Sequence, residues 1–144
     1  MTHLYAESSA VLSWLLEEPM SAAIRACMAG ASRVVTSALT VVECERTVHR
    51  AFTARLMDAA VRDAARRKLE EAIALWSVMS ISKQILRRAR EPFPSEPVRS
   101  LDALHLASAL RIREGRGEVS ILSLDKRVRA NATGLGFVVV PTLS

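Results

Sequence analysis

The chain has 144 residues, half of them apolar, and a formal net charge of +5 at pH 7. This length suits one globular domain, residues 1–144, with its own core, and only five glycines and five prolines leave little room for linkers or disorder. The longest apolar runs, 10–16 and 137–140, are far shorter than the ~20 residues of a membrane-spanning helix, so no membrane segment is expected.

The first third of the chain alternates between strand and helix patterns. Five elements are predicted there: a strand over His3–Ala6, a helix through 11–16, a helix from after Pro19 to about Gly30, a strand over 33–36 and a helix from Ala38 to about Phe52. Ser8 or Ser9 can cap the first helix, because a serine hydroxyl accepts a backbone N–H at that position. Glu43 falls on the apolar stripe of the third helix.

The same alternation continues to the end of the chain. The predicted elements are a long charged helix over Met57–Trp76, a strand over 78–81, a helix capped by Ser82 that stops before the prolines at 92, 94 and 97, a helix opened by Ser100-Leu101-Asp102 that ends near Gly115 and Gly117, a strand over 119–124, a short helix from Asp125 and a strand over 137–140. The proline segment is predicted to be a loop.

This order of elements predicts an α/β fold with a mainly parallel sheet of about four to five strands, flanked by helices. Parallel neighbours require crossover connections, and helices supply them. Open parallel sheets bind ligands at the carboxyl ends of their strands. Glu7 and Asp125 both follow predicted strands, so we expect polar chemistry at that edge.

Compartment and partner class follow from weaker signals. No basic segment precedes an apolar run at the N-terminus, so a secretory signal is not expected and the cytoplasm is the expected compartment. Cys27 and Cys44 lack metal-type spacing and are interpreted as reduced, partly buried thiols. The basic charge favours a polyanionic partner. However, 17 of the 20 basic residues are arginine, and codon bias in a GC-rich genome explains the charge equally well.

Four acids differ from the other eleven because they lie at strand ends or among apolar helical residues: Glu7, Glu43, Asp102 and Asp125. Buried carboxylates need a cation, a capping role or a hydrogen-bonding partner. Converging carboxylates can share a hard ion such as Mg²⁺ or Mn²⁺. Structural roles remain open for each acid taken singly: Asp102 and Asp125 could stabilise helix N-termini, and Glu43 could pair with Arg46 or Arg50.

The sequences around these acids resemble, in order and over essentially the whole chain, the successive motifs of PIN domains, in particular of VapC-like proteins. The matching segments are Tyr5-Ala6-Glu7-Ser8-Ser9, Thr36-Ser37-Ala38-Leu39 leading to Glu43, Leu101-Asp102-Ala103-Leu104-His105-Leu106-Ala107, and Leu122-Ser123-Leu124-Asp125-Lys126-Arg127. The third segment is the most specific match. One departure is Glu7, where the family usually has aspartate; the longer arm can lower activity or change metal preference.

The resemblance implies a metal-dependent endoribonuclease, the toxin of a type II toxin-antitoxin pair. All four acids would be catalytic and would hold one or two Mg²⁺ or Mn²⁺ ions that activate a water for attack on an RNA phosphodiester. Supporting roles would fall to Ser9 and Ser37, which orient a ligand or water, and to four phosphate-binding residues, Arg46, Arg50, Lys126 and Arg127. His105 is expected to be a packed, hydrogen-bonded residue rather than an acid-base catalyst.

The resemblance also implies two protein partners, a VapB-like antitoxin and a second copy of the chain in a homodimer. Two other interpretations remain. The chain could be a catalytically impaired PIN-like module that binds RNA or protein, an idea supported only by Glu7. A receiver-type signalling domain is less consistent with the sequence, because such domains present paired acids after the first strand, where this chain has Glu7 alone.

Overall fold

The computed structural model describes residues 2–143 and contains one five-stranded sheet. Its strands are β1 (His3–Ala6), β2 (Arg33–Ser37), β3 (Ser77–Met79), β4 (Val119–Leu122) and β5 (Val138–Val140). Their spatial order is β3-β2-β1-β4-β5, and every neighbouring pair is parallel. The predicted α/β class is confirmed. The strand order reverses beside β1, where a doubly wound sheet opens a crevice for ligands.

Seven helices cover the sheet within residues 2–143: α1 (Ser8–Leu15), α2 (Ser21–Ala29), α3 (Ala38–Thr53), α4 (Ala59–Leu75), α5 (Lys83–Ala89), α6 (Ser100–Arg116) and α7 (Lys126–Gly134). Each corresponds to a predicted helix, and Ser82 caps α5 as expected. The predicted cap of α1 was wrong. Glu7, not Ser8 or Ser9, has the extended backbone of the capping position, and its carboxylate accepts the N–H of Ser9.

Two apolar clusters lie on opposite faces of the sheet because side chains alternate along each strand. On β1, Tyr5 belongs to one cluster and Leu4 to the other. The Tyr5 cluster includes buried residues of α6 and α7, such as Leu106 and Val128. The Leu4 cluster draws on α1, α2, α3 and α4. Both faces are therefore covered, as a parallel sheet requires.

The pairing of β1 with β4 brings two distant segments to one edge. Ala6 pairs with Leu122 in the last register position of both strands. The backbone N–H of Glu7 then donates to the carbonyl of Leu122 at 3.0 Å. Glu7 and Ser123, the residues after the two strands, are consequently neighbours at the carboxyl edge of the sheet.

Both cysteines are free thiols: Cys27 is partly exposed, whereas Cys44 is fully buried rather than partly buried. Across residues 2–143, no helix combines the length and the apolar character needed to cross a membrane.

Candidate active site

Glu7 is buried at the start of α1, with only 4% of its surface exposed. Its Oε2 accepts the backbone N–H of Ser9 at 2.9 Å, and its Oε1 accepts the hydroxyls of Ser9 and Ser123 at 2.5 and 2.6 Å. Three donors to one carboxylate compensate for the loss of water around a buried charge. Ser9, for which a supporting role is predicted, donates to Glu7 from both its backbone and its side chain.

The two serines also connect Glu7 to the segment that follows β4. The Ser9 hydroxyl accepts the N–H of Leu124 at 2.9 Å, and the Ser123 hydroxyl accepts the N–H of Asp125 at 3.1 Å. Each hydroxyl therefore receives one hydrogen from the β4–α7 turn and gives its own to Glu7. We call Glu7, Ser9 and Ser123 the serine clamp. Ser123 was missed in the sequence, although it lies at the same strand end as Asp125.

Glu43 lies on α3 and faces α6 rather than the arginines of its own helix. Its Oε1 contacts Nε2 of His105 at 2.6 Å and accepts the Ser8 hydroxyl at 2.5 Å. Burial alone would raise the pKa of Glu43, but the hydrogen bonds from His105 and Ser8 outweigh burial and hold it below its ordinary value. Neither Arg46 nor Arg50 forms an ion pair with Glu43 in the part of the chain that the structure describes.

His105 is packed and hydrogen-bonded, as the sequence predicted. Only 2% of its surface is exposed. Its Nδ1 is 2.7 Å from the hydroxyl of Tyr5, and its Nε2 is also 3.0 Å from the hydroxyl of Ser8. Tyr5 and Ser8 were not among the predicted site residues, because no local pattern links them to a histidine about 100 positions away.

Asp102 lies in the first turn of α6 and is half-buried. Burial raises its pKa above the ordinary value. Three negative charges raise it further, those of Asp125, Glu7 and Glu43. All four predicted acids are therefore close enough for their charges to interact, and Asp102 experiences the repulsion of the other three.

Asp125 caps α7, which was one of the two roles left open for it. Its Oδ1 accepts the N–H groups of Arg127 and Val128 at 2.9 and 3.0 Å. Capping occupies one carboxylate oxygen and directs the charge toward the positive end of a helix. The same carboxylate still acts on Asp102, so capping does not remove it from the acidic group.

The remaining predicted residues are Ser37 and four basic residues. Ser37 is buried and caps α3 by accepting the N–H of Leu39 at 3.1 Å, which is a structural role. The four basic residues proposed to bind phosphate are exposed: Arg46 and Arg50 on α3, and Lys126 and Arg127 in the first turn of α7. Lys126 and Arg127 directly follow Asp125, whereas Arg50 donates to the hydroxyl of Thr47.

The donor set suits a hard divalent cation, because it consists of carboxylate oxygens whose mutual repulsion a cation would relieve. Yet no three His, Cys, Asp or Glu side chains of residues 2–143 are arranged as a ready metal site. The hydrogen bonds described above engage three of the acids with protein donors. The residues therefore fit a divalent cation by their chemistry, but they do not form a closed ligand shell.

Comparison with known proteins identifies the family of the chain. Residues 4–133 match the family described as PIN domain. Ribonuclease VapC46 of Mycobacterium tuberculosis is 31% identical over 140 residues, which are 97% of this chain and 98% of that protein.

Solved structures match at the level of the fold. VapC20 of Mycobacterium tuberculosis, a sarcin-ricin loop cleaving toxin, has a TM-score of 0.65 at 15% identity, covering 96% of this chain and 99% of that one. A toxin-antitoxin complex from Klebsiella pneumoniae has a TM-score of 0.66 at 15% identity, covering 98% and 99%. The family match over most of the chain excludes the receiver-type interpretation. The chain belongs to the PIN-domain family.

Proposed function

We propose that the chain is a metal-dependent endoribonuclease, the toxin of a VapBC-type toxin-antitoxin pair. The proposal rests chiefly on one observation: at the carboxyl edge of the sheet, hydrogen bonds of Ser123 join Glu7 to the segment of Asp125, and Ser8, next to Glu7, donates to Glu43. The charges of these three carboxylates raise the pKa of Asp102. The relative of 31% identity over nearly the whole chain, which is named a ribonuclease, supports the class of substrate.

The four carboxylates would hold a divalent ion, Mg²⁺ or Mn²⁺. When bound, such an ion activates a water for in-line attack on a phosphodiester and neutralises charge on the phosphate. Asp102 is the acid best placed to ligate the ion. It is half-buried, and within residues 2–143 its carboxylate accepts no hydrogen bond, unlike the carboxylates of the other three acids. The serine clamp fixes Glu7, and Glu43 is held by Ser8 and His105, so these acids start from defined positions.

Basic side chains on two helices would bind the RNA backbone. Lys126 and Arg127 are exposed beside Asp125, and Arg46 and Arg50 are exposed on the helix of Glu43. Lysine and arginine attract phosphates without reading bases, so these residues contribute affinity and not sequence preference.

Two protein partners belong to the same proposal. An antitoxin would bind the chain and block cleavage, as the toxin-antitoxin complex among the similar structures suggests. A homodimer and a cytoplasmic location complete the proposal. Size-exclusion chromatography of the purified chain, alone and after co-expression with a candidate antitoxin, would test the dimer and the antitoxin together.

The decisive experiment is cleavage of total cellular RNA by the purified chain in Mg²⁺ or Mn²⁺. We expect cleavage that chelator abolishes and that Asp102→Asn lowers by at least roughly a hundredfold, beyond the effect typical of residues that only orient a ligand. Asp63→Asn is the matched control, because Asp63 is exposed on α4 and paired with Arg62. Absence of cleavage by folded wild-type chain in both metals would favour instead a PIN-like module that binds without cutting.

A further inference from the structure

A line of buried polar groups runs from the sheet to Glu43. Tyr5 on β1 contacts Nδ1 of His105, and Nε2 of His105 contacts Oε1 of Glu43, at 2.7 and 2.6 Å. Tyr5 and His105 are almost completely buried, with 1% and 2% of their surfaces exposed. Their rings also pack edge to face, with centroids 6.0 Å apart. This arrangement leaves water little access to either nitrogen.

The hydrogen-bonding roles of these groups follow from their chemistry. An ionised carboxylate only accepts, so the Nε2 that contacts Glu43 carries the hydrogen. A neutral imidazole has one N–H, and its Nδ1 is then an acceptor. The Tyr5 hydroxyl supplies the matching donor, since a phenol is protonated at neutral pH. Each of the two contacts in the line then has one donor and one acceptor.

The opposite tautomer would break the contact with Glu43 and reverse the direction of the hydrogen bond with Tyr5. With a hydrogen on Nδ1, the Tyr5 hydroxyl would have to accept that hydrogen, and the hydroxyl's own hydrogen would need another acceptor. The lone pair of Nε2 would then face the Glu43 carboxylate at 2.6 Å, where two acceptors repel each other. The Tyr5 hydroxyl and the Glu43 carboxylate therefore favour the same tautomer of His105 from opposite sides of the ring.

We propose that Tyr5 is a positioning residue of the site: its hydroxyl holds His105 in the Nε2–H tautomer, which in turn fixes the carboxylate of Glu43. Neither Tyr5 nor His105 contacts substrate in this scheme. The inference deepens the proposed function, because a fixed Glu43 matters for holding a divalent ion. Residues that orient ligands in this way change metal affinity or activity by roughly 10- to 100-fold when they are replaced.

The first test measures the tautomer directly, by nitrogen-15 NMR of the imidazole in the folded, metal-free chain. We expect His105 to show a protonated Nε2 and an unprotonated Nδ1. Tyr5→Phe removes only the hydroxyl and should shift this pattern. A wild-type ring protonated at Nδ1 or at both nitrogens, or a pattern unchanged in Tyr5→Phe, would overturn the proposal. This result is independent of whether the chain cleaves RNA.

The second test measures binding of Mn²⁺ alone by calorimetry. Tyr5→Phe should weaken binding about tenfold or more. Asn131→Ala is the control for loss of buried hydrogen bonds: Asn131 is 1% exposed and bonds the backbone of Ser95 and Arg127. It should lower the melting temperature but leave Mn²⁺ affinity unchanged. Equal affinity for wild type and Tyr5→Phe would refute the positioning role.

A rescue variant separates positioning from packing. His105→Gln places an amide N–H₂ near the position of Nε2, and this donor does not depend on a tautomer. We expect His105→Gln to retain most of the Mn²⁺ affinity, and Tyr5→Phe to have no further effect when added to it. Additive losses in the double variant would contradict the proposal. A wild-type chain that neither binds Mn²⁺ nor cuts RNA would defeat the proposed function, and the positioning role with it, while the NMR test still decides the tautomer.

Discussion

Replacing Ser123 by alanine should destabilise the chain more than any ordinary serine substitution, because Ser123 is central to the serine clamp. Its side chain is completely buried. Its hydroxyl donates to the Glu7 carboxylate at 2.6 Å and accepts the N–H of Asp125 at 3.1 Å. Alanine leaves a buried charge with one donor fewer. Hydrogen bonds to charged groups contribute about 1.5–3 kcal/mol, so we expect a loss of about 2–3 kcal/mol in the free energy of unfolding.

The assay is urea and thermal unfolding in the presence of chelator, so that metal binding does not contribute. A loss of that size corresponds to a fall of roughly 6–9 °C in the melting temperature of a chain of this length. Ser32→Ala is the matched control, since Ser32 is exposed and donates to the carbonyl of Thr2; it should change stability by less than about 0.5 kcal/mol. If Ser123→Ala and Ser32→Ala behaved alike, the clamp would not stabilise the fold.

Further predictions concern the first acid, the core thiol and the loop before α6. Glu7→Asp should keep the cap of α1, because aspartate is a good capping residue, but should lose part of the bond to Ser123 and lower the melting temperature less than Ser123→Ala does. Burial raises the pKa of Cys44 to about 12, so at pH 8 a thiol reagent should label Cys27 and spare Cys44 until the chain unfolds. Gly134→Ala would bring a Cβ within 2.7 Å of the Pro94 side chain, and should cost about 1–3 kcal/mol in unfolding experiments.

Strand and helix types were predictable from the sequence, whereas strand ends depended on partners elsewhere in the chain. The apolar pattern runs from Val119 to Leu124, but β4 ends at Leu122. Its partner β1 ends at Ala6, which pairs with Leu122, so β1 offers no residue for β4 to pair with beyond that point. Beyond Leu122, the N–H of Leu124 donates to the hydroxyl of Ser9. The apolar pattern of the sequence therefore continues past Leu122, although the pairing between the two strands ends there.

The third strand shows the same dependence. The sequence predicts a strand over 78–81, and β3 covers Ser77–Met79. Within residues 2–143 its only neighbouring strand is β2, whose last residue, Ser37, pairs with Met79. Because α3 begins at Ala38, directly after β2, the residues predicted to extend the third strand beyond Met79 have no strand to pair with. Local composition cannot reveal where a distant partner turns into a helix.

The acids of the site were identifiable from the sequence because each follows a strand or interrupts an apolar stripe. Their partners were not identifiable in this way. Ser9 and Ser123 are 114 positions apart, and Tyr5 and His105 are 100 positions apart. Only the pairing of β1 with β4, and the packing of α6 beside Tyr5, bring these groups together. Such contacts depend on topology, which periodicity does not contain.

The serine clamp gives a physical reason why a glutamate can occupy the first acidic position of this chain. A longer arm could move freely, and a loosely held carboxylate is a poor ligand. Here three donors hold both oxygens of Glu7, and two of these donors are serine hydroxyls that themselves accept backbone N–H groups. The extra methylene is thus accompanied by extra hydrogen bonds. A chain with glutamate but without Ser123 should therefore show a more mobile carboxylate, and a weaker affinity for Mn²⁺ than this one.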